Sequence, residues 1–101
     1  MNFYHITTPS VWEKFEDLDY CEAESLHTEG FIHCSYLGEV DNTLSIYFKG
    51  IDKILLLEIN PSVLTSKLVI ESSRNGLLFP HIYGVINKSA IVNVIERVLK
   101  S

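Results

Sequence analysis

Apolar and polar residues alternate from Asn2 to Thr7 in a segment rich in β-formers, and this period of two predicts a first strand. Thr8-Pro9-Ser10 reads as a helix start. Proline suits the first helical position, and Ser10-Val11-Trp12-Glu13 has the spacing of a capping box. Val11, Trp12 and Phe15 then form the buried face of a short helix ending near Asp17. Tyr20 to Glu22 predicts a short strand, Glu24 to Gly30 a loop, and Phe31 to Ser35 a compact apolar strand.

Beyond this the period lengthens. Val40, Leu44, Tyr47 and Phe48 fall at i, i+4, i+7 and i+8, the stripe of an amphipathic helix, with Gly50 placed to end it. Lys53 to Ile59 (KILLLEI) is almost continuously apolar and predicts a central strand covered on both faces. Asn60-Pro61-Ser62 begins a turn, Lys67 to Glu71 is a further strand, and Ser72 to Gly76 is a polar turn before Phe79 to Gly84. The tail supports two readings. Ile91, Val94, Ile95 and Val98 have helical spacing, while the β-branched content of Ile91 to Val98 favours a strand. The mixture implies an α+β chain, and 101 residues suit a single domain spanning 1–101.

Composition narrows the partners. Eight basic residues stand against thirteen acidic ones for a net charge of −5, and the basic ones are scattered. A nucleic-acid binder needs a basic stripe to neutralise phosphates, so a polyanionic partner is not expected. Met1-Asn2-Phe3 runs straight into the first strand without the pattern of a signal peptide, and the longest apolar run is far short of a bilayer span. Cys21 and Cys34 are therefore expected as free thiols in a reducing cytoplasm, with Cys34 a small core residue.

Three of the four histidines share one local context. FYHIT (Phe3 to Thr7), FIHCS (Phe31 to Ser35) and FPHIY (Phe79 to Tyr83) each place a ring two residues before the histidine and a hydroxyl two residues after it. On a strand, residues two apart share a face. His5, His33 and His81 are thus expected to line one polar site with hydroxyls and aromatic walls. Tyr4, Ile6, Ile32 and Cys34 turn the other way, into the core. Such a composition suits a small-molecule pocket. A single histidine on a strand is more often a packing residue; three in matched contexts reverse that balance. His27 lacks the pattern and reads as a loop residue.

Three histidines are also enough for a catalytic zinc site. The close helical pair of an H-E-x-x-H segment is missing, however, and no metal is expected. No G-x-S-x-G elbow surrounds Ser35, and Cys34 faces the core, which argues against a nucleophile triad. Ser35 sits between a strand and a helix, where it either caps the helix or helps to hold an anion at its N-terminus.

The segments Tyr4 to Thr7 (YHIT), Ser25 to Ser35 (ending EGFIHCS) and Phe79 to Gly84 (FPHIYG) resemble a small bacterial family of unknown function. That family is grouped with the ADP-ribosyltransferase-like fold, and the likeness covers nearly the whole chain. It implies two small, mostly antiparallel sheets with flanking helices and NAD in the cleft between them. By this resemblance His5 and Thr7 contact the ribose, and His33 and Ser35 lie where a second strand leads into a helix. The third position usually carries a glutamate that stabilises the oxocarbenium-like ribose as nicotinamide departs. Here His81 occupies the late position and Glu71 is the nearest upstream carboxylate. A related branch removes an RNA 2′-phosphate using several arginines, and this chain has only Arg74 and Arg97.

These readings converge on an NAD-binding protein, with His5, Thr7, His33, Ser35 and Tyr83 holding the nucleotide and His33, His81 and Glu71 as catalytic residues. An imidazole is suited to general acid or base work near neutral pH. The competing class is a binding module without catalysis that uses the same pocket. Its partner is a small nucleotide ligand in either case, with neither nucleic acid nor membrane involved.

Overall fold

The computed structural model describes residues 1–73 and 75–99. Arg74, in the expected polar turn, and Lys100 lie outside them. Strands β1 (Phe3–Thr7), β4 (Lys53–Ile59) and β8 (Ile91–Val98) form one antiparallel sheet in the order β1-β4-β8. Strands β3 (Ile32–His33), β6 (Leu78–Tyr83) and β5 (Lys67–Ser72) form a second, in the order β3-β6-β5. A two-stranded ribbon pairs β2 (Tyr20–Cys21) with β7 (Ile86–Asn87). Helices α1 (Pro9–Glu13), α2 (Ser25–Thr28) and α3 (Leu37–Tyr47) complete an α+β architecture. The radius of gyration is 12.9 Å, the value expected of a folded chain this long. Among the described residues, no helix is long and apolar enough to cross a membrane.

The central strand explains the layering. On one face of β4, Ile54 and Leu56 pack with Ile6 of β1 and with Val40 and Leu44 of α3. On the other face, Leu55, Leu57 and Ile59 join Phe3, Ile32, Cys34, Ile82 and Ile86 in the main core. Both faces of β4 are therefore covered, as its apolar run requires. The two sheets are stitched where the Tyr4 and Ser35 backbones exchange hydrogen bonds of 2.8 and 2.7 Å.

Several boundaries differ from the sequence reading for local reasons. Thr8, not Ser10, caps α1: its hydroxyl accepts from the Val11 amide, and regular helix stops at Glu13, beyond which single turns run to Leu18. The expected Glu24 to Gly30 loop contains the four-residue α2, which Gly30 ends at φ +90°. In α3, Val40 and Leu44 are buried as the stripe requires, but Tyr47 is 76% exposed. The tail is a strand throughout β8, registered on β4 from Lys53↔Val98 to Glu58↔Asn93. A vacant edge of β4 decides what local spacing leaves open.

Candidate functional site

The three histidine segments do not face the same way. In β1, Phe3, His5 and Thr7 share a face as expected, but that face looks into the main core beside Ile59, Leu57 and Leu55. Phe3 is fully buried, so it forms no wall of a pocket. In the second sheet the order is reversed. Ile32, Cys34, Pro80 and Ile82 are buried, while Phe31, His33, Phe79, His81 and Tyr83 take the outer face. The site forms where the inner face of β1 meets the outer face of the β3-β6-β5 sheet.

A cleft of about 910 Å³ opens there, within the range typical of small-molecule sites. His5, His33, Ser35, Glu71 and His81 all line it. Thr7 and Tyr83 do not. Thr7 is buried beside the core, and the Tyr83 hydroxyl is turned onto Glu71.

Each imidazole has one nitrogen committed. His5 Nδ1 donates to the main-chain oxygen of His33 at 2.9 Å. A carbonyl only accepts, so Nδ1 carries the hydrogen and the neutral ring leaves a lone pair at Nε2. Burial holds the His5 pKa below its ordinary value, and the donor bond to His33 opposes this only in part. His81 Nδ1 donates to Oε1 of Glu71 at 2.7 Å, and His33 Nε2 donates to Oε2 of Glu29 at 3.1 Å. Because β3 and β6 pair His33 directly opposite His81, the two rings stand edge to face at 5.2 Å. Phe31 packs against both, stacking on His81 at 4.2 Å and meeting His33 at 4.8 Å.

Glu71 is the electrostatic centre of the wall. Its Oε1 accepts from the Tyr83 hydroxyl at 2.6 Å as well as from His81. The tyrosine bond, followed by the histidine bond, holds the carboxyl below the usual carboxylate range, and the same contact raises Tyr83. The β5–β6 pairing brings this about by setting Glu71 opposite Phe79, two residue pairs from Val69↔His81 and therefore on the same face. Among the described residues, no group of three or more His, Cys, Asp or Glu is gathered closely enough to hold a metal ion.

The neighbourhood of Ser35 also departs from expectation. Its amide is engaged by Tyr4, its hydroxyl lies 3.2 Å from that of Thr43, and Tyr36 begins α3 without a side-chain cap. The cleft runs along the flank of α3 at Asn42, Thr43, Ile46 and Tyr47, and its first turn takes no part. An anion at the helix N-terminus would therefore lie outside the cleft.

Sequence reasoning missed Glu29, the α3 flank and Leu77. The one available signal is Ile46, an apolar residue outside the Val40/Leu44/Tyr47/Phe48 stripe; it and Tyr47 are both exposed and line the cleft. His27 lies on α2 and not in a loop, and it bonds Glu22 at 2.8 Å, away from the cleft.

A family profile described as "Protein of unknown function (DUF952)" matches residues 6–94, and the chain belongs to that family. No curated protein sequence matches the chain. The crystal structure of protein CC0527 from Caulobacter crescentus is similar, at 27% identity and a TM-score of 0.85, over 99% of this chain and 87% of that one. The solution NMR structure of CC0527 is similar at 26% identity and a TM-score of 0.82, with the same coverage of 99% and 87%.

Proposed function

We propose that this family member binds NAD in the cleft and acts at the bond between nicotinamide and ribose, with Glu71 and His81 carrying the chemistry. The observation that carries this reading is the Glu71 carboxylate, kept ionised and fixed by Tyr83 and His81 on the cleft wall. NAD supplies a cationic leaving group whose departure places positive charge on the ribose. An anion preorganised beside that charge lowers the barrier. Glu71 thus fills the role for which the late motif offered only a histidine. The assignment to an ADP-ribosyltransferase-like fold belongs to the same proposal, and two antiparallel sheets bordering a cleft support it.

The residues present fit such a ligand. The cleft has the volume for it, and Ile46, Tyr47, Leu77 and Phe79 offer apolar surface to flat rings. His5 Nε2 is an acceptor for a ribose hydroxyl, and Ser35 adds a polar group beside it. Charge sets the orientation. The cationic nicotinamide end faces Glu71, and the diphosphate lies away from both Glu29 and Glu71. His81, its Nδ1 held by Glu71, uses Nε2 to take or return a proton. His33, held by Glu29, orients the nucleotide on the adjoining wall. Tyr83 is a positioning residue that acts through Glu71, and Thr7 supports β1 from inside. We place this activity in the cytoplasm, where buried free thiols such as Cys21 and Cys34 persist.

A second reading keeps the cleft and removes the reaction, leaving a module that senses a nucleotide or other small molecule. One observation favours it: Glu29 and Glu71 both line the cleft, so a diphosphate there meets like charge. Nicotinamide release separates the two. The enzyme reading expects turnover that falls on the order of 10²–10⁴-fold in Glu71→Gln or His81→Ala. Saturable NAD binding with no release in the unmodified protein would establish the module instead.

A further inference from the structure

We infer that the floor of the cleft holds a cationic hydrogen-bond donor, a primary ammonium or guanidinium group, against His5, His81 and Glu71. His5 is 7% exposed, yet it lines the cleft with Nδ1 already spent on the His33 carbonyl. Its Nε2 has no partner among the described residues, and no described buried side-chain nitrogen or oxygen is an orphan. That nitrogen therefore opens on the cleft, as an acceptor set in a buried ring.

The other committed nitrogens give the same sense. With Nδ1 donating to Glu71, the His81 ring in its neutral form offers only a lone pair at Nε2. With Nε2 donating to Glu29, the His33 ring in its neutral form offers only a lone pair at Nδ1. Two carboxylates, Glu29 and Glu71, line the cleft with these rings. Hydroxyls are paired in part, as Ser35 with Thr43. The wall is thus rich in acceptors and negative charge. An ammonium brings three donors and no acceptor, a guanidinium five and none, so each complements it. Phosphate or carboxylate would bring acceptors and like charge. The apolar rim at Ile46, Tyr47 and Leu77 suits the hydrocarbon that carries such a head group.

This inference rests on the cleft being the ligand site and not on NAD. The test is an NMR titration of the unmodified protein at pH 8, reading the histidine side-chain nitrogens, with n-propylammonium, methylguanidinium and inorganic phosphate added separately at constant ionic strength. At least one cation is expected to give saturable shifts at His5 and His81, weakened about tenfold or more in Glu71→Gln, while phosphate gives none. Glu71 is part-exposed on an edge strand, and a retained amide spectrum shows that this variant keeps its fold. No saturable shift from either cation, an equal response to phosphate, or undiminished binding in Glu71→Gln would overturn the inference. Nicotinamide release without cation binding would remove this inference and leave the NAD reading; cation binding without NAD binding would do the reverse.

Discussion

His5 Nδ1 donates to the main-chain oxygen of His33 across 2.9 Å, so the buried histidine of one sheet is anchored to the strand that carries the exposed histidine of the other. The bond does two things at once. It satisfies a backbone carbonyl near the joint between the sheets, and it fixes the tautomer of the ring that reaches the cleft. Structure and chemistry meet in a single contact.

The first consequence concerns acid. Burial lowers the His5 pKa in the folded state, whereas the unfolded chain keeps the ordinary value of about 6.5. Below that value the unfolded state binds more protons than the folded one, so stability is full above it and declines as pH falls through the window down to the folded pKa. Denaturant unfolding at pH 7.5 and pH 5 is expected to show this loss, and His5→Gln to reduce the difference. Nitrogen-15 NMR at neutral pH is expected to report a neutral, Nδ1-protonated ring.

Removing one hydroxyl should retune the cleft carboxylate. In Tyr83→Phe, Glu71 loses the larger of its two stabilising hydrogen bonds and keeps the one from His81. Its pKa is expected to rise toward the ordinary range, as read from a carboxyl-carbon titration. An unchanged value would mean that the tyrosine bond does not set the charge of the wall.

Packing around β4 predicts the largest stability effects. Leu57 is fully buried between β1 and β8 and lies in the main core. Leu57→Ala is expected to cost about 2–5 kcal/mol in chemical denaturation, combining lost transfer energy with a cavity. Phe31 is only partly buried, but it stacks on His81 and also contacts His33 and Tyr83. Phe31→Ala is expected to cost about 1–3 kcal/mol and to broaden the His81 ring signals.

The thiols should be silent in the native state. Burial pushes Cys21 up to about 11 and Cys34 well above its ordinary value, and both are inaccessible. A disulfide reagent is expected to label neither at pH 8 until the chain unfolds, since the thiolate is the reacting form. Rapid labelling of Cys34 in folded protein would contradict its place in the core.

What the sequence disclosed follows from how local each determinant is. The β4 run, the Val40/Leu44 stripe and the inward turn of Ile32 and Cys34 are set by periodicity within a few residues, and each is found in the fold. Local spacing leaves the β8 tail open because the edge of β4 that captures it lies more than thirty residues upstream. Period two also placed Phe, His and hydroxyl on one face of β1 correctly, but it carries no information on which face a sheet turns inward. Local pattern therefore makes Thr7 a site residue and Phe3 an aromatic wall, although both are buried. In the sequence, only its place upstream of the late motif points to Glu71. Its bonds to His81 and Tyr83 depend on the β5–β6 register, which no local pattern fixes.

The central claim is that NAD occupies the cleft bordered by His5, His33, Glu71 and His81. An amide-shift NMR titration of the unmodified protein with NAD tests it most directly. The account predicts saturable shifts concentrated at these residues and along the Asn42 to Tyr47 flank of α3, weakened by Glu71→Gln. An unperturbed spectrum at saturating NAD, or shifts confined to the β8 edge, would contradict it.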